Sequence, residues 1–486
     1  MRPVTRLLRD ELRDRIIAEA REVLCKLGVE IHNEPVLRML SDHGAKVDKE
    51  TCYARFTEDI IDKALATAPH SFKLFDVLGN ETHNFQGDNV YFTPGSTSIN
   101  ILDNESGEMR RPMTADYIRY VKLTGGLQHI ASQSTALIPA DVHENIADSY
   151  RLYLSLLYGE KPVVTGAFTV ASFEIMKDLQ IAVRGTEPAL RAQPLTIFSC
   201  CPTSPLKWSD VTSQNLVDCA RWSIPVEFIS MPLSGFMAPV TLVGSLVQQT
   251  AETLSGVVIS QLVSPGHAML YGGSPAVFDM RFQTTPMGAV ETMMLDCANS
   301  EIGKYLGMPT QGYTAFSDAK QLDAQAGLES SMGATLAALS GINSISGPGM
   351  LDFESCQSLE KLVVDNEICG MTYRLLRGIE PREDFPAIRL QEELRQKKHM
   401  LTSAHTRRYL REEITFPGPA IDRADSERWR KDGQLTLRER AAREVTRIVA
   451  AYKPSRLSED AKRELTRLMR REAQRYGMAN LPAQDE

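Results

Sequence analysis

PTQGYTAFSDAKQLDAQAGLES, residues 309–330, holds the structural period of this chain in one stretch. An extended, aromatic half ends at Phe316, a polar knot of Ser317-Asp318-Ala319-Lys320 follows, and a run of Ala, Gly, Ser and Gln then reads as a helix. Strand, loop and helix in that order form the repeating unit of a parallel sheet, because parallel neighbours are joined by a crossover that is usually helical. Small residues on the helix let it pack closely against the sheet.

The unit recurs on both sides of this stretch. Apolar runs bounded by Gly or Pro stand at VYFTPG (90–95), HIASQSTALIP (129–139), PVVTGAF (162–168), PLTIFSCCP (194–202), PVEFISMP (225–232), AMLYGGSP (268–275), PTQGYTAF (309–316) and INSISGPG (342–349). Helices are predicted near 114–124, 143–158, 170–184, 209–222, 241–262, 287–306, 323–340 and 355–377. Runs apolar on both faces that alternate with helices predict an α/β fold with a helix-covered parallel sheet. Eight units in about 290 residues fit a closed (β/α)8 TIM barrel better than an open doubly wound sheet. Neither GxGxxG nor GxxxxGK[ST] follows a strand, so a nucleotide cradle is not expected.

Flanking segments differ in composition. Residues 1–87 read as a small α+β lead-in: an amphipathic helix over 6–27, short helices near 35–42 and 57–68, and two strands in SFKLFDVLGNETHNF turning at Gly79-Asn80. Residues 88–380 carry the expected barrel. Residues 381–486 are dense in Arg, Glu and Lys at helical spacing and read as a helical extension packing on the barrel or on another subunit.

Charge and composition exclude several classes. The net charge is -8, and the basic residues gather near the C-terminus without interleaved aromatics, so nucleic acid is not an expected partner. The opening MRPVTRLLRDELRDRIIAEAREVL lacks the apolar centre of a signal peptide, and no window approaches the ~18 apolar residues of a membrane span. Eight cysteines show no CxxC, which suits reduced thiols in the cytoplasm.

In a barrel the ligand site lies at the C-terminal strand ends. That rule collects Thr93, Pro94, Asp141, His143, Phe168, Cys200, Ser230, Phe236, Tyr271, Asp279, Arg281, Tyr313, Phe316, Asp318 and Phe353, rich in aromatics for a chain that is 7% aromatic. Rings can hold a ligand cation against their electron-rich faces. Tyr271 can equally be core packing; Phe168 and Phe236 read as structural; His143 reads as a helix start. Glu227 stands inside the apolar PVEFISM, either as a buried ion pair or protonated acid, or as a negative charge facing a cationic ligand. Cys200 and Cys201, as neighbours on a strand, face opposite ways and do not share a metal, so none is expected. No HExxH and no Ser-His-Asp set can be assembled, so hydrolysis finds no support and no acid, base or nucleophile is assigned.

Several stretches taken together resemble the trimethylamine methyltransferase family, the MttB superfamily: SDAKxxDxQAGxE (317–329), CPTSPLKWSD (201–210), GSP followed by Asp279 and Arg281, SGPGMLDFES (346–355), SAHTRRYL (403–410), Asp422-Arg423 and Trp429. The resemblance runs over nearly the whole chain. It implies a (β/α)8 barrel that moves a methyl group from an amine to the Co(I) centre of a separate corrinoid protein, so the corrinoid is carried by that partner and not by this chain. The founding branch holds pyrrolysine near the end of a late strand, whereas Gln311 to Ser317 here are all standard residues. That departure points to the pyrrolysine-free branch and to quaternary amines: glycine betaine first, with carnitine or proline betaine as alternatives, or a non-catalytic betaine-binding protein of the same system. A quaternary ammonium already has a neutral tertiary amine as its leaving group, so orientation and desolvation suffice. On this basis Tyr271, Tyr313, Phe316 and Phe353 are expected to cage the trimethylammonium group. Arg281 is expected to bind a substrate carboxylate or to form an ion pair. Asp318 is expected to cap the following helix or hold the loop, and Lys320 to touch substrate or partner. A cytoplasmic homo-oligomer is expected.

Overall fold

Each of the eight apolar runs contains a strand: β1 (Tyr91–Thr93), β2 (Gln133–Ser134), β3 (Val163–Thr165), β4 (Thr196–Cys200), β5 (Val226–Phe228), β6 (Met269–Leu270), β7 (Gln311–Tyr313) and β8 (Ser344–Ser346). The computed structural model describes residues 2–103 and 105–484. All pairings among these strands are parallel. One sheet has the order β6-β5-β4-β3-β2 and a second the order β7-β8-β1. The sheets are linked at both edges. Tyr271 and Thr310 form a parallel bridge, with the Tyr271 N–H donating to the Pro309 carbonyl at 2.8 Å and the Gln311 N–H to the Tyr271 carbonyl at 3.0 Å; on the other side the Ala131 N–H donates to the Phe92 carbonyl at 2.8 Å.

A helix follows each strand in turn: Thr114–Gly126, Ala147–Tyr158, Ser172–Arg184, Asp210–Trp222, Leu242–Val263, Val290–Tyr305, Ala324–Leu339 and Leu359–Leu376. The small-residue helix Ala324–Leu339 approaches β7 closely. A Cβ on Gly333 would lie 1.8 Å from the Thr314 carbonyl oxygen, so no larger residue fits there. Its N-cap is Asp323, whose Oδ1 accepts from the N–H groups of Gln325 and Ala326. The capping role open to Asp318 is thus taken by Asp323.

The lead-in and the extension are laced into the same apolar core, which includes Ile16 and Leu24 at one end of the chain and Val445 and Leu465 at the other. Strand Val29–Ile31 pairs with Lys207–Trp208 in the loop after β4. The hairpin Phe72–Phe75 and Glu81–Phe85 goes further: Leu74 and Phe85 pack on Val164, Ile197 and Leu270 and cover one end of the sheets' inner face. Sequence periodicity shows the hairpin but not this plugging position. Helix Leu437–Ala450 packs on Leu359–Leu376 and Thr114–Gly126, and helix Glu459–Arg475 on Ser172–Arg184 and Ala147–Tyr158. Helix Ile388–Lys397 buries no residue, and Ile379, Phe385 and Leu401 around it are 93%, 80% and 80% exposed.

Candidate active site

Strand parity places the first residue of the site. Val226 and Phe228 join the core beneath the helices, so Glu227 between them turns to the inner face. Its Oε1 accepts from the Ser199 hydroxyl at 2.8 Å, while Oε2 is buried with no hydrogen-bond partner. Burial pushes the carboxyl up to about 7, opposed by the Ser199 hydrogen bond.

Beyond Glu227, toward the C-terminal strand ends, Ile229, Ala276, Met287, Tyr313, Phe316 and Met350 form a separate apolar cluster flanked by Cys201 and Leu233. Gln311 and Tyr313 share one face of β7. Gln311 accepts from the Gly273 N–H at 3.2 Å through Oε1, and its Nε2 is buried without a partner. A Cβ on Gly272 would sit 2.2 Å from that Oε1, so the glycine makes room for the amide.

The opening knot SDAK ties loops together. The Ser317 hydroxyl and the Asp318 N–H both donate to Glu329 Oε2, at 2.5 and 2.8 Å. Asp318 in turn accepts from the N–H groups of Met287 at 3.1 Å and Gly288 at 2.9 Å, which binds the loop after β7 to the loop after β6. Burial raises its carboxyl to about 6 against those hydrogen bonds. Of the two roles open to Asp318, the geometry is that of holding the loop. Lys320 donates to the Asp318 carbonyl at 2.7 Å, lies 3.6 Å from Asp352 Oδ1 and sits 3.9 Å over the Phe353 ring.

Phe353 belongs to a turn that sequence reasoning could not anticipate. Asp352, Phe353 and Glu354 have φ of 49°, 55° and 66°, three consecutive non-glycine residues in the left-handed region, at about 1–3 kcal/mol each. The turn is held by the Asp352 N–H on the Ala319 carbonyl at 2.9 Å and by the Ser355 hydroxyl on Asp352 Oδ2 at 2.5 Å. Its outcome is to bury Glu354 Oε1 without a partner, and burial, then the Asp318 charge, pushes that carboxyl up to about 8. Tyr313 is within reach of both acids: burial first, then Glu227 and Glu354, raise its phenol.

The residues expected from the sequence therefore separate. Glu227, Tyr313, Phe316 and Asp318 come together, with Lys320 and Phe353 beside them at the rim. Tyr271 does not join them: its ring lies in the helix layer, 2.6 Å from where a Cβ on Gly303 would be, and it belongs to the core with Met269 and Ile302. Arg281 is also elsewhere, its side chain 80% exposed and gripped by Asp279 at 3.0 Å (Nε to Oδ1) and 2.6 Å (Nη2 to Oδ2). Its geometry is the ion-pair alternative.

Farther round the rim, Asp141 accepts from the Thr114 N–H, and His143 Nδ1 accepts from the Asn145 N–H at a helix start. Cys200 lies in the helix-side core and Cys201 beside the inner cluster, on opposite faces. Glu354, Gln311 and Met350 were not expected as site residues, and Cys201 was weighed only as a metal ligand; for Gln311 the signal was parity, two residues from Tyr313 on the same strand. Among the described residues, no helix is long and apolar enough to cross a membrane.

Mixed α/β strands with acids and rings at their C-terminal ends fit a small-molecule enzyme, and the comparisons narrow the class. The family model described as "Trimethylamine methyltransferase (MTTB)" matches residues 1–477, and the chain belongs to this family. It is 28% identical over 458 residues to trimethylamine methyltransferase MttB of Desulfitobacterium hafniense (strain DSM 10664 / DCB-2), covering 94% of this chain and 92% of that protein. To the glycine betaine methyltransferase of Desulfitobacterium hafniense (strain Y51) it is 27% identical over 457 residues, covering 94% of each. Trimethylamine methyltransferase MttB of Methanosarcina barkeri (strain Fusaro / DSM 804) is 32% identical over 387 residues, 76% of this chain and 75% of that one. Among solved structures, the Methanosarcina barkeri monomethylamine methyltransferase (MtmB) has a similar fold, with a TM-score of 0.51 at 12% identity over 97% of this chain and 88% of that one.

Proposed function

We propose that this chain moves a methyl group from a quaternary amine, glycine betaine or a related betaine, to the Co(I) centre of a separate corrinoid protein. The observation that carries the reading is the inner face itself: buried carboxyl oxygens of Glu227 and Glu354 without partners, near Tyr313, which shares an apolar cluster with Phe316. Acids and aromatic faces together suit a cation that brings no hydrogen-bond donor of its own. The methyl carbon passes to the corrinoid protein while the C–N electron pair stays with the departing tertiary amine, which leaves neutral and needs no proton. The protein's part is to orient the ammonium, exclude water and expose one methyl group at the mouth. Within the MttB family, a relative named for glycine betaine and standard residues throughout Gln311 to Ser317 favour this donor class.

The reading includes closure of the two sheets into one (β/α)8 barrel over 88–380, supported by hydrogen bonds at both edges, with 1–87 as lead-in and 381–486 as helical extension. It also includes a cytoplasmic homo-oligomer, for which the exposed apolar residues around helix Ile388–Lys397 provide a surface. Phe353 and Lys320 border the mouth, within reach of substrate or partner. The test is to mix the purified chain with reduced corrinoid protein and glycine betaine, carnitine or proline betaine, and to follow loss of the Co(I) absorbance. Methylation with one betaine is the expected result; none with any, using a corrinoid protein shown to be competent, overturns the proposal.

A further inference from the structure

A buried carboxyl, Glu227, and a half-buried one, Glu354, near one tyrosine are unusual when each has a buried oxygen without a partner, because such an acid is normally paired or hydrogen-bonded. Glu227 comes from the middle of a strand, and Glu354 from a turn of three left-handed residues. Each keeps one buried oxygen without a partner, and Gln311 Nε2 is unpartnered as well. Each acid therefore keeps an acceptor open on the inner face.

We propose that Glu227 and Glu354 act as a proton-linked cation trap: in the empty protein they hold protons, and a quaternary ammonium entering beside Tyr313 displaces proton from the pair to solvent. This rests on the methyl-transfer reading for its ligand class, but concerns a coupling which that reading does not require.

The surroundings support the coupling from every side. Around Glu227 lie the Ser199 hydroxyl, the thiol of Cys201 and the phenol of Tyr313; burial and then Glu227 push the Cys201 thiol up to about 12, so it stays neutral. Around Glu354 lie Asp318, Asp296 and Tyr313, and the charge of Glu354 adds to burial in raising Asp296. Neither acid is stabilised by a neighbouring cation: burial acts on Glu227 against one hydroxyl, and burial plus Asp318 act on Glu354. Lys320, the nearest ammonium of the loop, is turned onto the Phe353 ring and the Asp318 carbonyl. A fixed positive charge arriving between the acids favours their ionised forms, which is proton release.

The test is calorimetric titration of the full-length chain with tetramethylammonium chloride at about pH 6.5, in buffers of different ionisation enthalpy, repeated from about pH 6 to about pH 9. The expected result is a heat that depends on the buffer, with more than zero and up to about two protons released per cation bound, and affinity rising about tenfold or more across the pH range. Glu354→Gln should reduce the proton count and flatten the pH dependence, and Glu227→Gln should weaken binding about tenfold or more. Buffer-independent, pH-independent binding by the unmodified chain overturns the proposal, as does no binding at all or an unchanged proton count in Glu354→Gln. The first of these needs no variant, so misfolding cannot mask it. Methyl transfer from a betaine without linked proton release would remove the trap and leave the function standing; proton-linked binding without transfer to a competent corrinoid protein would do the reverse.

Discussion

Lys161 and His83 at one end of the strands, and Glu227, Gln311 and Glu354 toward the other, differ in how their polar atoms are met. At the end covered by the hairpin, Lys161 donates to three carbonyls, of Thr124, Leu127 and Ile130, at 2.7, 2.7 and 2.5 Å. His83 there has both ring nitrogens engaged, with Thr82 at 2.8 Å and Ser132 at 3.0 Å, and burial, then the Lys161 charge, holds it down to about 3 and neutral. At the other end Glu227, Gln311 and Glu354 each retain an unmet buried atom. Satisfied burial of Lys161 and His83 holds that part of the fold together, whereas unsatisfied acids beside Tyr313 leave acceptors for a ligand.

The largest effect should come from breaking the satisfied end. Lys161→Met strands three carbonyls around the end of helix Thr114–Gly126 and should destabilise the chain by about 3 kcal/mol or more, read by calorimetric unfolding. A loss below about 1 kcal/mol would mean that water reaches those carbonyls and that the two ends do not differ as described.

Glu227→Gln should do the reverse. A carboxyl whose folded pKa is raised binds its proton more tightly in the folded state, so its contribution is fully present at low pH and is lost as pH rises from the ordinary 4.5 to about 7. Glutamine has no such dependence. Relative to the wild type, the variant should therefore gain about 3 kcal/mol between about pH 4 and pH 8. Parallel unfolding curves for the two proteins across that range would sink the assignment of Glu227 as an uncompensated buried acid.

Phe316→Leu probes the ring without emptying the space. Phe316 is buried against Tyr313 and Met350, and leucine keeps most of that packing while removing the aromatic face. Cation–π attraction of about 1 kcal/mol predicts roughly fivefold weaker binding of a quaternary ammonium, measured by titration, with little change for an uncharged analogue of the same shape. Equal losses for both ligands would make the residue a packing element only.

Legibility followed the range of the interactions. The α/β alternation was plain because strands buried on both faces write continuous apolar runs, and the knot at 317–320 announced a loop. Tyr313 and Phe316 could be drawn from strand ends, whereas Tyr271 could not: β6 has only two residues, and which way the next side chain turns is decided by its contact with Gly303, thirty-two positions on. Glu354 escaped because a left-handed turn of three ordinary residues has no local signature; it is imposed by Ala319, Ser355 and the packing around them. The plug formed by Leu74 and Phe85 escaped for the same reason, its partners Val164, Ile197 and Leu270 all being remote in sequence.

The smallest effect belongs to Arg281, and it sharpens the contrast from outside. Its guanidinium is 80% exposed and already shared by both oxygens of Asp279, whose carboxyl is held down to about 2 by those hydrogen bonds. An exposed pair of this kind is screened by solvent and contributes little. Arg281→Ala should thus leave the unfolding transition essentially unchanged and alter betaine binding by less than about twofold. If binding instead fell tenfold for betaines but not for tetramethylammonium, the loop carrying Arg281 would have to fold over the mouth and offer its charge to the substrate carboxylate. The recognition site would then extend from the inner face to the rim, and Asp279 would be the residue that releases Arg281 for that role.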